Sequence, residues 1–184
     1  GGAIEALGEV DVLVNNAGVQ IVGPAEQESR EESERLFRLN VLTPMHLART
    51  VLPSMLARKE GTIVNVASLA GINPTPYMFS YSASKAAIAA ASEVLHGELH
   101  GTGVHVVTVY PGPVKTAMAN AAVEKMGGNA KLIPMGNADE LADRVLDAIT
   151  LKRDRVIYPS SYQLGAIFPR MAHWLMARLT PGMR

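Results

Sequence analysis

Tyr81 and Lys85 lie four residues apart in the stretch YSASKAA. On a helix that spacing puts a phenol and an ammonium on one face. A free Tyr, with a pKa of about 10, is a poor base at neutral pH, but a neighbouring ammonium stabilises the phenolate and is expected to lower that value toward the working range. Such a pair could accept and donate a proton. An isolated Y-x-x-x-K says little, because an amphipathic Tyr and a surface Lys meet at this spacing by chance. Tyr77 is a rival base, eight residues from Lys85 and expected in a loop.

Three more places offer chemistry, each directly after an apolar run. Asn15-Asn16-Ala17-Gly18 follows the run ending at Val14. Glycine lets a backbone come close to a ligand, and Asn ties a turn with its side chain, although a plain strand-ending turn looks the same. Ser68, two residues past Val66, can donate its hydroxyl to a carbonyl oxygen or be an ordinary loop serine. Pro111-Gly112-Pro113-Val114, then Thr116, forms a rigid turn with one flexible residue and a hydroxyl, able to wrap a planar ligand or simply to turn the chain.

The elements that must position these residues are legible from periodicity. Val10–Val14, Thr62–Val66, Val104–Val109 and, more weakly, Arg155–Tyr158 are rich in Val and Ile and do not alternate with polar residues, which suits strands buried on both faces. Long helical patterns separate them, the signature of an α/β fold with a parallel sheet. Ser29-x-x-Glu32 has the form of a capping box, so a helix is expected to start there. A longer helix is expected from about Val41 to Lys59, with Pro44 tolerated in its first turn and Pro53 kinking or breaking it. A third runs from Tyr81 to about His100, with a face of small Ala residues and Gly101 and Gly103 after it. A fourth is capped by Asn137 and ends near Thr150.

Composition narrows the class. A chain of 184 residues can bury one substantial core, and 48% apolar with 18% charged residues is globular rather than disordered. A net charge of zero without a basic run gives no reason to expect nucleic acid. Cys is absent, which removes disulfides and Cys-based metal sites and fits a reducing, cytoplasmic setting. His96 and His100, four apart with His105 nearby, could begin a zinc site, but no acidic third ligand has suitable spacing. They read as surface or helix-end residues, and no metal is expected. The segment 162–179 is read as an amphipathic helix with Phe168, Met171, Leu175 and Leu179 on one face. It would pack on the body of the protein or, on a second reading, touch a membrane surface or a partner.

Taken together, NNAG at 15–18, Asn40, Ser68 within VNVASLAG, Tyr81 with Lys85, and Pro111-Gly112 stand in the order and at about the spacings of the short-chain dehydrogenases/reductases. The chain closely resembles that family to about residue 118, fairly to Thr150 and weakly in the tail. The resemblance implies a Rossmann-like doubly wound parallel sheet and a cofactor, NAD or NADP. It implies that Tyr81 exchanges a proton with an alcohol or ketone. Lys85 would lower the Tyr81 pKa and hold the nicotinamide ribose. Ser68 would donate to the substrate oxygen, and Asn40 would hold a water linking Lys85 to solvent. Asn16, Ala17 and Gly18 would line the adenosine side of the cofactor, with Pro111, Gly112, Val114 and Thr116 at the nicotinamide end. The stretch with methionines scattered from Met118 to Met135, in which the segment Ala117–Pro134 holds Gly127-Gly128, falls where the family places a mobile substrate lid.

The departure from the family is at the start. The chain opens on Gly1, reads like the end of a helix, and places only 14 residues before Asn15, none with the glycine-rich phosphate turn. It is therefore read as the C-terminal part of a longer polypeptide, with about four strands and flanking helices. Residues 1–159 would be a partial Rossmann-like catalytic domain and 160–184 its amphipathic tail. The absent part would hold the turn and the residue that selects NAD or NADP, so that the 184 residues alone would bind dinucleotide poorly and lack activity. The strand at Val10–Val14 would be left as a raw apolar edge. Two other readings stay open: a sugar-nucleotide epimerase or dehydratase, and a non-catalytic nucleotide-binding relative. The way the chain ends resembles relatives acting on lipophilic alcohols. The family also implies a homodimer or homotetramer through the helices at about 41–59 and 81–100.

Overall fold

The Val- and Ile-rich runs fold as four strands: β1 Val12–Asn15, β2 Gly61–Val66, β3 Val104–Pro111 and β4 Arg155–Tyr158. They pair in parallel in the order β1-β2-β3-β4, in a computed structural model that describes residues 8–127 and 134–163. The expected α/β architecture and number of strands are both present, as a parallel Rossmann-like sheet with flanking helices. β1 pairs only with β2 among the described residues, and Val12 and Val14 are 42% and 49% exposed, the apolar edge that the sequence suggests.

Helices cover both faces. α1 spans Arg30–Phe37, α2 Thr43–Arg58, α3 Phe79–Glu98, α4 Ala117–Met126 and α5 Ala138–Thr150. Because side chains alternate along a strand, Ile63 and Val106 turn to one face and meet Ala48, Val51 and Met55 of α2. Val64, Val107 and Val109 turn to the other and pack with Ala148 of α5. Toward the sheet's carboxyl end, Ala67, Leu69 and Tyr110 close against Ile88 and Ala89 of α3.

Capping follows the sequence. Ser29 Oγ accepts from Glu32 N at 3.1 Å, and Asn137 Oδ1 accepts from Asp139 N at 2.7 Å. The region between α1 and α2 does not. The chain is helical through a wide turn of π type, Arg38–Leu42, and α2 then runs unbroken through Pro53. The break expected at Pro53 is absent for a physical reason. Pro53 and Arg49 are both exposed, so the Arg49 carbonyl that loses its helical donor faces water.

One buried polar ladder crosses the sheet. Asn15, Asn65 and Thr108 are register partners on β1, β2 and β3. Asn15 Nδ2 donates to Asn65 Oδ1 at 2.8 Å, and Asn65 Nδ2 donates to Ser92 Oγ of α3 at 3.1 Å. Thr108 Oγ1 donates to the same Ser92 Oγ at 2.7 Å. All four side chains are buried, so the ladder pins α3 to three strands at a fixed height. Ser92→Ala leaves two buried donors without an acceptor, and each orphan costs roughly 1–3 kcal/mol. The expected loss is therefore about 2–6 kcal/mol, read as a lower urea midpoint at unchanged slope.

Among the described residues no helix is long and apolar enough to cross a membrane. The tail reading falls outside the described residues except for a short turn at Ser160–Tyr162. Of the expected lid, Ala117–Met126 is α4, ended at Gly127 with φ +61°.

Candidate active site

Every expected site residue that follows a strand sits at the carboxyl edge of the sheet, where open α/β sheets bind ligands. Asn16, Ala17 and Gly18 leave β1, Ser68 follows β2, and Pro111 ends β3. Asn16 and Ala17 are exposed, open to a ligand.

Asn40 comes from the wide turn between α1 and α2 and is buried. Its amide behaves like a strand partner for Val19. Oδ1 accepts from Val19 N at 2.9 Å, and Nδ2 donates to Val19 O at 2.8 Å and to Ser84 Oγ at 3.1 Å. Gly18 precedes that clasp. A Cβ placed on Gly18 would stand 3.1 Å from Asn40 Oδ1 and 3.5 Å from Lys85 Nζ. The Asn carbonyl and the Lys ammonium thus converge over a residue that has no side chain.

Tyr81 and Lys85 lie on the first turns of α3, as their spacing requires. Lys85 is buried, its Nζ donates to Val66 O at 2.8 Å, and it stands 5.9 Å from the Tyr81 ring centroid. Burial pushes the Lys85 ammonium down to about 8. Tyr81 moves the opposite way from expectation. Burial raises its pKa, and the Ser68 side chain offsets part of the rise. The expected lowering by Lys85 is not among the causes of the shift: the ammonium donates to the Val66 carbonyl, and desolvation of the phenol leads. Ser68 Oγ also accepts from Ala70 N at 3.1 Å and lies 3.4 Å from Pro111 O. Tyr77 sits in the loop ahead of α3, as expected, with a left-handed backbone.

The turn after β3 is held by backbone bonds. Gly112 N donates to Tyr158 O at 2.6 Å, Gly136 N to Pro113 O at 2.8 Å and Lys115 N to Gly136 O at 3.0 Å. Val114 is buried, and Thr116 Oγ1 caps α4 by accepting from Ala119 N at 3.2 Å. Of the residues expected at the nicotinamide end, Pro111 therefore meets Ser68, whereas Thr116 uses its hydroxyl on its own helix.

Two residues at the site had not been singled out from sequence. Ser84 is fully buried and bridges Asn40 to the Tyr81 carbonyl. Gly71 carries the Ser68 turn against α3. A Cβ there would lie 2.7 Å from the Lys85 carbonyl carbon and 2.8 Å from Ala86 N. The only signal for either is a run of small residues, SLAG in one case and YSASKAA in the other. Because backbone is what a Cβ would strike, Gly71→Ala must push Ser68 away from Tyr81. Overpacking of this kind costs roughly 1–3 kcal/mol, and a misplaced donor lowers kcat by about 10²-fold. Thermal unfolding and steady-state kinetics check both.

Two cavities flank this region. The larger, about 490 Å³, is lined by Lys115, Glu140, Arg144 and Tyr158 and holds none of the proton-transfer candidates. The smaller, about 300 Å³, lies between Val19, Val22, Met118, Ala122 and Lys125, beside the Asn40 clasp. It too holds none of the proton-transfer candidates, and its lining is mostly apolar, with Gln20 and Lys125 as its polar members. His96 and His105 contact each other edge to face, and the His105 ring nitrogen lies 3.0 Å from Arg153 O.

A parallel sheet whose carboxyl edge gathers a phenol, an ammonium and a hydroxyl belongs to the Rossmann-like α/β proteins. A sequence model described as short chain dehydrogenase matches residues 1–127, and the chain belongs to that family. The Ketoacyl reductase HetN of a Nostoc species is 38% identical over 155 residues, covering 84% of this chain and 53% of that protein. A short-chain dehydrogenase from Sphingobium yanoikuyae in complex with NADPH superposes with a TM-score of 0.76 at 28% identity, covering 100% of this chain and 72% of that one. A relative from Burkholderia phymatum in complex with NAD gives 0.79 at 26% identity, covering 100% and 73%. The chain spans about half the length of the curated relatives it matches.

Proposed function

We propose that the protein carrying this chain is an NAD(P)-dependent oxidoreductase that interconverts a secondary alcohol and a ketone, with Tyr81 as general acid and base. The observation that carries this reading is the gathering of Tyr81, Lys85 and Ser68: the Lys85 ammonium stands 5.9 Å from the Tyr81 ring on the same helix face, and the Ser68 side chain offsets part of the rise in the Tyr81 pKa. It sits at the ligand-binding edge of a dehydrogenase-family sheet. The residues present fit the ribose end of a nicotinamide dinucleotide. Gly18 leaves a cradle that a Cβ would fill, and the Lys85 ammonium and Asn40 carbonyl border it. Lys85 would hold the ribose hydroxyls, Asn16, Ala17 and Gly18 the adenosine side, and Pro111, Gly112, Val114 and Thr116 the nicotinamide end. When bound, the cofactor supplies or accepts the hydride.

The rest is the work of this chain. Ser68 donates to the substrate oxygen and stabilises charge that develops there. In reduction, Tyr81 gives its proton to that oxygen, and its raised pKa keeps it protonated at neutral pH. In oxidation it takes the proton back, and Asn40 and Lys85 form the path by which the proton reaches solvent. Support for a lipophilic ketone comes from the apolar cavity beside Val19 and from likeness to a protein named a ketoacyl reductase. We also infer a homodimer or homotetramer through α2 and α3, which leave Met45, Leu47, Leu56 and Val94 exposed, and peripheral membrane contact through the tail.

The test is turnover by the whole native protein of a panel of ketones graded in chain length, with NADH and with NADPH. Oxidation of either dinucleotide by the longer apolar ketones is expected. A protein that binds dinucleotide yet turns over no ketone and no alcohol would overturn the reading. Within residues 1–184 there is no glycine-rich phosphate turn, so a polypeptide of these residues alone is expected to bind dinucleotide more weakly than micromolar, as calorimetry would show.

A further inference from the structure

We propose that Ser84 is a positioning residue that locks the orientation of the Asn40 amide and ties it to the turn of α3 that carries Tyr81 and Lys85. The proposal rests on the reading of Tyr81 and Lys85 as the proton-transfer pair. Ser84 Oγ has one proton and makes two contacts, to Tyr81 O at 2.8 Å and to Asn40 Nδ2 at 3.1 Å. A backbone carbonyl only accepts, so the hydroxyl proton goes to Tyr81 O and a lone pair faces Asn40. Asn40 must then present its NH₂ to Ser84. Val19 imposes the same choice from the other side, because Val19 N can only donate and therefore requires Asn40 Oδ1. Two independent partners thus point the Asn40 carbonyl oxygen at the space over Gly18 that Lys85 Nζ also borders. Rotated by half a turn, the amide would bring NH₂ against the Val19 N–H and toward a cation.

A serine bonded to the carbonyl three residues back is common in helices and by itself satisfies only its own hydroxyl. Here the side chain has no exposed surface, and its second bond reaches Asn40, 44 residues away on another element. The bond joins the wide turn to the helix that carries Tyr81 and Lys85 at one atom, and through Asn40 it reaches the loop after β1. Ser84→Ala removes that atom at almost no change in volume and leaves Asn40 Nδ2 with Val19 O alone.

The experiment uses the whole native protein as Ser84→Ala, Asn40→Ala and the double variant, with Tyr81→Phe alongside. Expected for Ser84→Ala is a fall in kcat on the order of tenfold to a hundredfold, with dinucleotide Kd by calorimetry within about threefold and a displaced alkaline limb in the pH profile of kcat. The double variant is expected to be no slower than Asn40→Ala, since the two act as one unit. A folded, dinucleotide-binding Ser84→Ala protein with unchanged kcat and pH profile would overturn the proposal, and so would effects that multiply in the double variant. If Ser84→Ala fails to fold, Ser84→Cys carries the same test, because it keeps the volume with a much weaker donor. Tyr81→Phe separates the layers. If it keeps full activity, the underlying reading fails, whereas if it is inactive while Ser84→Ala is unaffected, only the role of Ser84 falls.

Discussion

Tyr81→Phe in the whole native protein is expected to lower kcat by about 10³-fold while leaving dinucleotide affinity within about threefold. Positioned acid–base groups contribute about 10²–10⁴-fold, and here the phenol is the group whose pKa the Ser68 side chain influences. The substitution deletes one oxygen. Tyr81 is largely buried, so the phenyl ring keeps its packing. The Ser68 hydroxyl loses a partner but retains its contacts with Ala70 N and Pro111 O. The fold should therefore survive, and a thermal melt within a few degrees of the parent would show that the lost rate is chemistry. The direction of the pKa shift adds a second readout. Burial holds Tyr81 above its ordinary value, so ketone reduction should stay flat up to pH 8 as far as this group is concerned, and alcohol oxidation should climb with pH as the phenolate forms. Tyr81→Phe should abolish that climb. Full activity in the variant would remove Tyr81 from the mechanism.

What could be read from the sequence divides along a physical line. Local signals were legible. Val- and Ile-rich runs became strands, Ser29 and Asn137 became caps, and the four-residue spacing put Tyr81 and Lys85 on one face. Each depends on a few neighbouring residues. Effects that depend on tertiary surroundings were not legible. The wide turn at Arg38–Leu42 is a property of the backbone path, with no residue type to announce it. Ser84 finds Asn40 across 44 positions, and Ser92 finds both Asn65 and Thr108. A serine in a small-residue helix looks the same whether it faces water or an amide. The Tyr81 shift has the same origin. Charge proximity is visible in sequence and predicts a lowered pKa, but desolvation sets the direction here, and burial is known only once the chain is folded. Gly71 extends the point, since its worth lies in a backbone that packs against it from α3.

Lys85→Met is expected to lower kcat/KM by about 10³-fold and yet make the protein more stable at neutral pH. The activity loss follows from the proposed roles, because the variant loses the cation that would hold the ribose and accompany the Tyr81 proton. The stability gain follows from burial. Desolvation depresses Lys85 from 10.5 to about 8, so between those values the unfolded chain binds the proton that the folded protein has released. Stability of the parent then rises with pH from about 8 to 10.5, and below pH 8 the full cost of the buried charge is present. That cost is roughly 3 kcal/mol from the size of the shift. Met fills similar space without charge, but it leaves Val66 O without the Lys85 donor, which returns about 1–2 kcal/mol. The net expectation is a gain of about 1–2 kcal/mol at pH 7 that shrinks to nothing or reverses by pH 10.5. Urea unfolding of both proteins across that range checks it. Parallel pH dependences would show that Lys85 does not titrate near 8 in the fold. The same titration bears on turnover. If the ammonium form is the working one, ketone reduction by the parent should fall as pH rises past about 8, even though Tyr81 remains protonated there. A lysine held at the edge of neutrality is a cost to the fold that the Val66 carbonyl offsets in part and that a bound anionic or hydroxyl-rich partner would offset further, which ties the instability of this position to its proposed use.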